Sequence, residues 1–139
     1  MNYQKSFGFR HKSGILLPVS ALPSRYGIGS FGKAAFDFIS FLEKTGQKCW
    51  QVLPLNPTSY GDSPYQSPAS LSGNPYFIDL DILKDNGLLT DEECLAEQSA
   101  EKRINYGRLF ETRYEVLRRA YARFVPNKDY TSFTEREDA

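Results

Sequence analysis

Histidine and cysteine are scarce in this chain, and their scarcity excludes several kinds of site. His11 is the only histidine, so a histidine-based metal site is not expected, and we place this residue in a loop or at the surface. Cys49 and Cys94 are the only cysteines, and they are too far apart for a metal-binding or redox spacing. The sequence therefore predicts no metal site, and two unpaired thiols in a reducing compartment.

An excess of one charge and a long apolar run are also missing. Lysine plus arginine and aspartate plus glutamate number 17 each in 139 residues, so the formal net charge is zero. This balance argues against a nucleic-acid or membrane-surface partner. No apolar run approaches the roughly 18–20 residues of a membrane span, and the start lacks the apolar stretch of a secretory signal. We expect a cytoplasmic protein.

The first part of the chain does contain a strand–helix–strand pattern. Residues 14–19 form a short apolar run that suits a strand buried on both faces. Apolar residues then recur at helical spacing from a candidate N-cap, Ser30, through Lys44, and Gly46 follows as a helix-ending glycine. Residues 48–53 read as a second buried strand. Strands connected in this way are parallel and joined by a right-handed crossover.

A long segment rich in proline, glycine and aromatic residues follows the second strand, over residues 54–80. Its prolines exclude a long helix, and it is too polar and interrupted for a central strand. Loops of this length are usually functional or disordered, and disordered tracts are poor in aromatic residues. The segment leaves the carboxyl end of a parallel strand, where α/β folds place their active sites. We therefore expect an ordered, functional loop.

The aromatic residues of this loop fall into two groups. Tyr76 and Phe77 are expected to lie in the core. Tyr60 and Tyr65 stand among glycines and prolines with no apolar periodicity, so their rings have little local core to join. A tyrosine has an apolar face and a polar tip, which suits a sugar whose hydroxyls bond to neighbouring polar groups; those groups are Asp62, Ser63, Gln66 and Asn74.

The second half of the chain reads as helical. A short helix is expected over residues 81–86, ended by Gly87. Thr90 and Glu93 match a capping box. A longer helix is expected over residues 102–124, stopped by Pro126, and its apolar residues fall mostly on one face: Tyr106, Leu109, Phe110, Leu117, Tyr121 and Phe124.

A glycine pattern between the first strand and helix offers an alternative function. Residues 27–32 spell G-x-G-x-x-G, which can mark a dinucleotide-binding turn. Here seven residues, including Pro23, separate it from the strand, and the acidic residue expected about twenty positions later is missing. A tight entry into the helix is the simpler explanation for these glycines.

Two stretches together resemble a known family. They are SGILLPVSALPSRYGIGSFG and WQVLPLNPTSYGDSPYQSPASLSGNPYFIDL, within residues 12–92. They closely resemble the start of the 4-alpha-glucanotransferases, also called amylomaltases or disproportionating enzymes, which form glycoside hydrolase family 77. Residues 93–139 fit more loosely, as a helical insertion.

The resemblance implies an α/β fold, the N-terminal βαβ part of a TIM (β/α)₈ barrel. Residues 1–80 would carry the first two strands with the loop 54–80, and residues 81–139 a truncated helical insertion. Such a barrel needs about 250 residues, so the barrel is expected to be incomplete here. The implied reaction moves a segment of an alpha-1,4-glucan to the 4-hydroxyl of glucose or another glucan, with retention and without any cofactor. Maltooligosaccharides or starch-type glucans would be the partners.

The resemblance also assigns roles to the loop. Ser63 and Tyr65 match positions that line glucan subsites near the cleaved bond, and Tyr60 matches an aromatic residue of a second glucan-binding groove. Asp62 and Asn74 are weaker substrate-binding candidates that would shape the loop. No residue here matches the catalytic carboxylates, which are expected beyond Ala139. The chain alone is thus expected to be inactive. The alternative is a stand-alone glucan-binding module without catalysis. The sequence does not indicate the oligomeric state of the protein.

Overall fold

The computed structural model describes residues 12–59 and 61–137, so His11 and Tyr60 lie outside the described residues. The described residues divide into two compact units. Unit 1 holds those up to Asp79 together with Ser99–Ile104, and unit 2 holds Leu80–Gln98 and those from Asn105 onward.

Unit 1 contains the predicted strand–helix–strand pattern. Strand β1, Gly14–Leu16, pairs in parallel with strand β2, Cys49–Gln51, and helix α1, Lys33–Lys44, connects them. The βαβ prediction and the parallel pairing are therefore confirmed. Both strands are shorter than the apolar runs 14–19 and 48–53. Pro18 follows the end of β1 and leads into a 3₁₀ turn at Val19–Ala21.

The two strands are covered on one face, so the prediction that both faces are buried is wrong for the described residues. Ile15 and Trp50 are paired and half-buried, and Phe38 of α1 packs edge-on against Trp50 with 5.1 Å between ring centroids. Leu16, the next residue of β1 after Ile15, is 54% exposed. Successive strand residues point to opposite faces, and α1 packs on the face that carries Trp50.

Helix α1 and the segment before it form the core of unit 1. Val19, Leu22 and Ala35 are its fully buried members, and the indole N–H of Trp50 donates to the Leu17 carbonyl over 2.8 Å. Gly46 follows the helix as predicted, with φ of +73°. This left-handed conformation lets backbone N–H groups at the helix end donate to carbonyl oxygens of the last helical turn, as in other helices that end at a glycine.

Unit 2 is helical throughout its regular structure. Its helices are α2 at Leu80–Asp85, α3 at Asp91–Ala96, α4 at Tyr106–Arg123 and α5 at Lys128–Glu137. The capping box is confirmed: Thr90 Oγ1 accepts from the Glu93 N–H, and Glu93 Oε2 accepts from the Thr90 N–H. Helix α5 is not among the helices predicted above.

Helix α4 buries part of the face that its apolar residues mark. It begins after Asn105, whose side-chain oxygen accepts from the Arg108 N–H over 3.0 Å, and not at residue 102. Its buried residues follow helical spacing and include a charged one: Leu109, Arg113, Val116 and Ala120. Of the apolar residues named in the sequence, Phe110 and Tyr121 are 71% and 77% exposed.

Candidate functional site

The long loop, residues 54–79, leaves and re-enters the core of unit 1 at adjacent points. The backbone N–H of Asn74 donates to the Leu55 carbonyl over 2.8 Å and closes the base of the loop. Leu55 and Phe77 both pack against the buried core residues. The residues between them are therefore held at both ends by the same core.

One side chain, Asn56, ties the two halves of the loop together. Its Nδ2 donates to the carbonyl oxygens of Ser70 at 2.6 Å and of Ala69 and Ser72 at 3.3 Å each. These carbonyls lie in a stretch without regular structure, so the Asn56 amide takes the place of a backbone ladder. The sequence did not indicate a role for this residue, because a loop asparagine gives no local sign of partners 13 to 16 positions away.

The tip of the loop begins with a tight turn. The Asp62 N–H donates to the Ser59 carbonyl over 3.0 Å. Gly61 and Asp62 have φ angles of +92° and +56°, a conformation that aspartate tolerates better than most side chains. Asp62 is exposed, and its backbone sets the direction in which the following residues leave the turn.

Ser63 and Tyr65 lie together in the next turn. The Tyr65 N–H donates to Ser63 Oγ over 3.3 Å, and the Gln66 N–H donates to the Ser63 carbonyl over 3.1 Å. Ser63 is half-buried, whereas Tyr65 is 73% exposed. The Ser63 hydroxyl has no acceptor among the described residues, so its proton is available to a ligand beside the Tyr65 ring.

Asn74 has a different environment from the tip residues. It is 7% exposed, and its Oδ1 accepts from the Tyr76 N–H over 3.0 Å, which caps the 3₁₀ turn Pro75–Phe77. Tyr76 is 5% exposed, which confirms its placement in the core, and Phe77 is half-buried against that core. The structure thus brings Asp62, Ser63 and Tyr65 together and places Asn74 at the base of the loop.

A carboxylate from the end of the loop closes off the start of helix α1. Ser30 Oγ donates to Asp79 Oδ2 over 2.5 Å, so Ser30 is not the N-cap that the sequence predicts. The N-cap is Gly32, where an added Cβ would lie 1.9 Å from Asp79 Oδ2. A carboxylate already occupies the position where a dinucleotide pyrophosphate would meet a helix N-terminus, which argues against the nucleotide alternative.

Metal ligands do not gather in the part of the chain that the structure describes. Among residues 12–59 and 61–137, no three histidine, cysteine, aspartate or glutamate side chains lie together as a metal site requires. Cys49 is exposed and Cys94 is buried, and neither forms a disulfide. Of the helices that the structure describes, none is both long and apolar enough to cross a membrane.

Comparison with known proteins identifies the family. The family model described as 4-alpha-glucanotransferase matches residues 17–139. The chain belongs to the 4-alpha-glucanotransferase family. This confirms the resemblance seen in the sequence, and it extends the match through the helical second half of the chain.

Curated members of the glucanotransferase family match most of this chain. The 4-alpha-glucanotransferase of Clostridium butyricum is 52% identical over 117 residues, which are 83% of this chain and 24% of the relative. That of Streptococcus pneumoniae serotype 4 is 46% identical over 126 residues, 89% of this chain and 25% of the relative. The chain thus spans about a quarter of the length of these relatives.

A solved structure of the family has a similar fold. The amylomaltase from Streptococcus agalactiae, in complex with acarbose, superposes with a TM-score of 0.84 at 37% identity. The alignment covers 93% of this chain and 27% of the amylomaltase. The α/β arrangement described above is therefore the one found in this part of an amylomaltase.

Proposed function

We propose that this chain is the N-terminal part of a 4-alpha-glucanotransferase. The complete enzyme would transfer a segment of an alpha-1,4-glucan to the 4-hydroxyl of glucose or another glucan, with retention through a covalent glycosyl-enzyme. The family assignment and the identity of up to 52% with curated relatives support this activity. The absence of a cofactor and the location in the cytoplasm stay predictions from the sequence.

The finer architecture belongs to the same proposal. We place β1, α1 and β2 at the start of a (β/α)₈ barrel that residues 1–139 do not complete, with residues 81–139 as a helical insertion. The parallel pairing of the two strands supports this placement. So does the exposure of Leu16, because barrel strands turn alternate side chains toward a filled interior.

In this proposal the tip of the long loop contacts the glucan. The Tyr65 ring would pack against a sugar face and the Ser63 hydroxyl would donate to a sugar oxygen. Tyr60 is proposed as a second aromatic contact, while Asp62 and Asn74 maintain the loop shape. The observation that carries the proposal is the exposure of the Tyr65 ring, 73%, on a loop whose base and middle are fixed by hydrogen bonds.

The retaining reaction needs a nucleophile and an acid/base about 5–5.5 Å apart. No carboxylate of residues 1–139 is proposed for either role. The 139-residue chain incubated with maltotriose should therefore yield neither glucose nor longer maltooligosaccharides. Formation of either product would show that the chain does contain a catalytic pair.

Titration calorimetry with maltoheptaose tests the binding role. A fully buried aromatic side chain covers about 150–250 Å², so a sugar on one face of the Tyr65 ring removes roughly 75 Å² from water. At about 25 cal/mol per Å² this contributes about 2 kcal/mol, or about a 30-fold change in Kd. Tyr65→Ala should show this loss.

Leu71 provides the matched control for that titration. It lies in the same loop and is fully exposed, at 101%, so Leu71→Ala removes an exposed apolar side chain without touching the proposed contact. Equal affinities of the two variants would overturn the role of Tyr65. If the unaltered chain binds maltoheptaose but transfers no glucan, the alternative of a stand-alone glucan-binding module is favoured. The observation that supports this alternative is that the loop is closed by hydrogen bonds within unit 1 itself.

A further inference from the structure

A cavity on unit 1 lies apart from the long loop and is lined by the two segments that the glucan proposal leaves without a role. One wall is the turn after β1, which contributes Ser20, Ser24, Gly27 and Gly29, and the other wall is residues 101–104. Its volume is about 320 Å³, at the lower end of the range for small-molecule sites. We call it the serine–glycine cavity.

One hydrogen bond connects the two walls, and a second one lies within the turn after β1. The Ser99 N–H donates to the Arg25 carbonyl over 2.9 Å, and the Gly29 N–H donates to the Ser20 carbonyl over 3.0 Å. A Cβ on Gly29 would lie 2.1 Å from the Val19 carbonyl oxygen, and Gly27 has φ of +78°. Both glycines are therefore required by the local backbone of the turn after β1.

The charges around the cavity favour an anion. Lys102 and Arg103 line it and have no hydrogen-bond or ion-pair partner among the described residues. Glu101 lines the cavity as well, so its three charged residues, two cations and one anion, leave one net positive charge there. Ser20 and Ser24 add hydroxyl groups to the lining. Hydrogen bonds to a phosphate are strongest when the donor is charged, as lysine and arginine are.

The lining also argues against a neutral glucan. None of the described residues that line the cavity is aromatic, so a sugar ring has no flat apolar surface to pack against. The volume suits a ligand of monosaccharide size. We propose that the serine–glycine cavity binds a small phosphate monoester through its phosphate group, which Lys102 and Arg103 would contact, and glucose 1-phosphate serves as the probe of this size.

This site is separate from the glucan proposal, and the test keeps them apart. The chain labelled with nitrogen-15 is titrated with glucose 1-phosphate, inorganic phosphate and glucose, and backbone amide shifts are recorded by NMR. Glucose 1-phosphate should shift the amides of Gly27 and Gly29 in a saturating manner, and inorganic phosphate should shift the same amides more weakly. Glucose should leave them unchanged.

Two variants give the matched comparison. Lys102→Gln with Arg103→Gln should weaken glucose 1-phosphate binding at least about tenfold, as expected for lost hydrogen bonds between charged groups. Lys44→Gln removes an exposed cation elsewhere on unit 1 and should not change it. Shifts caused equally by glucose, unchanged binding in the double variant, or no shift with any phosphate would each overturn the proposal.

Discussion

The buried ion pair of unit 2 gives a quantitative prediction for stability. Arg113 is 1% exposed, and its Nε donates to Glu97 Oε2 over 3.3 Å; the Glu97 side chain is 6% exposed. Thr112 Oγ1 donates to the same carboxylate oxygen over 3.2 Å. Replacing Arg113 with methionine keeps most of the side-chain volume and leaves the Glu97 carboxylate buried without its cation.

Removing one partner of a buried pair typically costs about 3–5 kcal/mol, because the remaining charge is uncompensated. Such a loss is a large fraction of the about 5–15 kcal/mol that stabilises a typical domain. Arg113→Met should therefore lower the urea midpoint measured by circular dichroism at 222 nm, a signal that comes mostly from the helices of unit 2. Replacing Glu97 by methionine as well should recover much of the loss.

Arg118 supplies the control on the same helix. It pairs with Glu115 at 2.5 Å, but both side chains are exposed, at 71% and 59%. Such surface pairs contribute about 0–1 kcal/mol, so Arg118→Met should leave the midpoint almost unchanged. Equal effects of Arg113→Met and Arg118→Met would refute the argument from burial.

Three further predictions concern single contacts. Hydrogen bonds from the side chain of Arg123 and the backbone of Thr90 lower the pKa of Glu93 from 4.5 to about 2, so this carboxylate stabilises the fold above pH 4.5 and the effect is lost as the pH falls to about 2. The difference in thermal midpoint between the chain and Glu93→Gln should shrink over that interval, and a constant difference would contradict the assignment. Asn56→Ala removes the hydrogen bonds across the long loop and should cost about 1–3 kcal/mol; limited proteolysis should then cut within the loop sooner, and an unchanged cleavage rate would count against its role. Gly32→Ala places a Cβ against the Asp79 carboxylate and should destabilise unit 1 by about 1–3 kcal/mol in a urea titration followed by tryptophan fluorescence, whereas an unshifted midpoint would show that the carboxylate moves aside freely.

The features that the sequence predicted correctly depend either on neighbouring residues or on a general rule of chain connection. The capping box of Thr90 and Glu93 spans one helical turn, and Gly46 ends α1 through its own backbone freedom. The parallel strand pair followed from its connection through a single helix. The cap and the helix end are caused by residues within about one helical turn, and the pairing of the strands requires only that a single helix connects them, so neither needs knowledge of particular distant contacts.

The features that were missed depend on partners far along the chain. Ser30 looked like an N-cap, but its hydroxyl bonds to Asp79, 49 residues later. Arg113 is a charged residue that the apolar pattern of α4 does not mark as buried, and it pairs with Glu97, 16 residues earlier. At the candidate site the sequence indicated the exposed Tyr65, while the contacts of Asn56 that hold the loop required the folded chain.

The division into two units has a consequence for synthesis of the protein. The chain enters unit 2 after Asp79, returns to unit 1 for Ser99–Ile104, and then leaves it again. The returning stretch supplies the Ser99 N–H that bonds to the Arg25 carbonyl. During translation, unit 1 thus stays unfinished until residue 104 has left the ribosome. A single proteolytic cut between residues 80 and 98 would leave unit 1 assembled from two polypeptides.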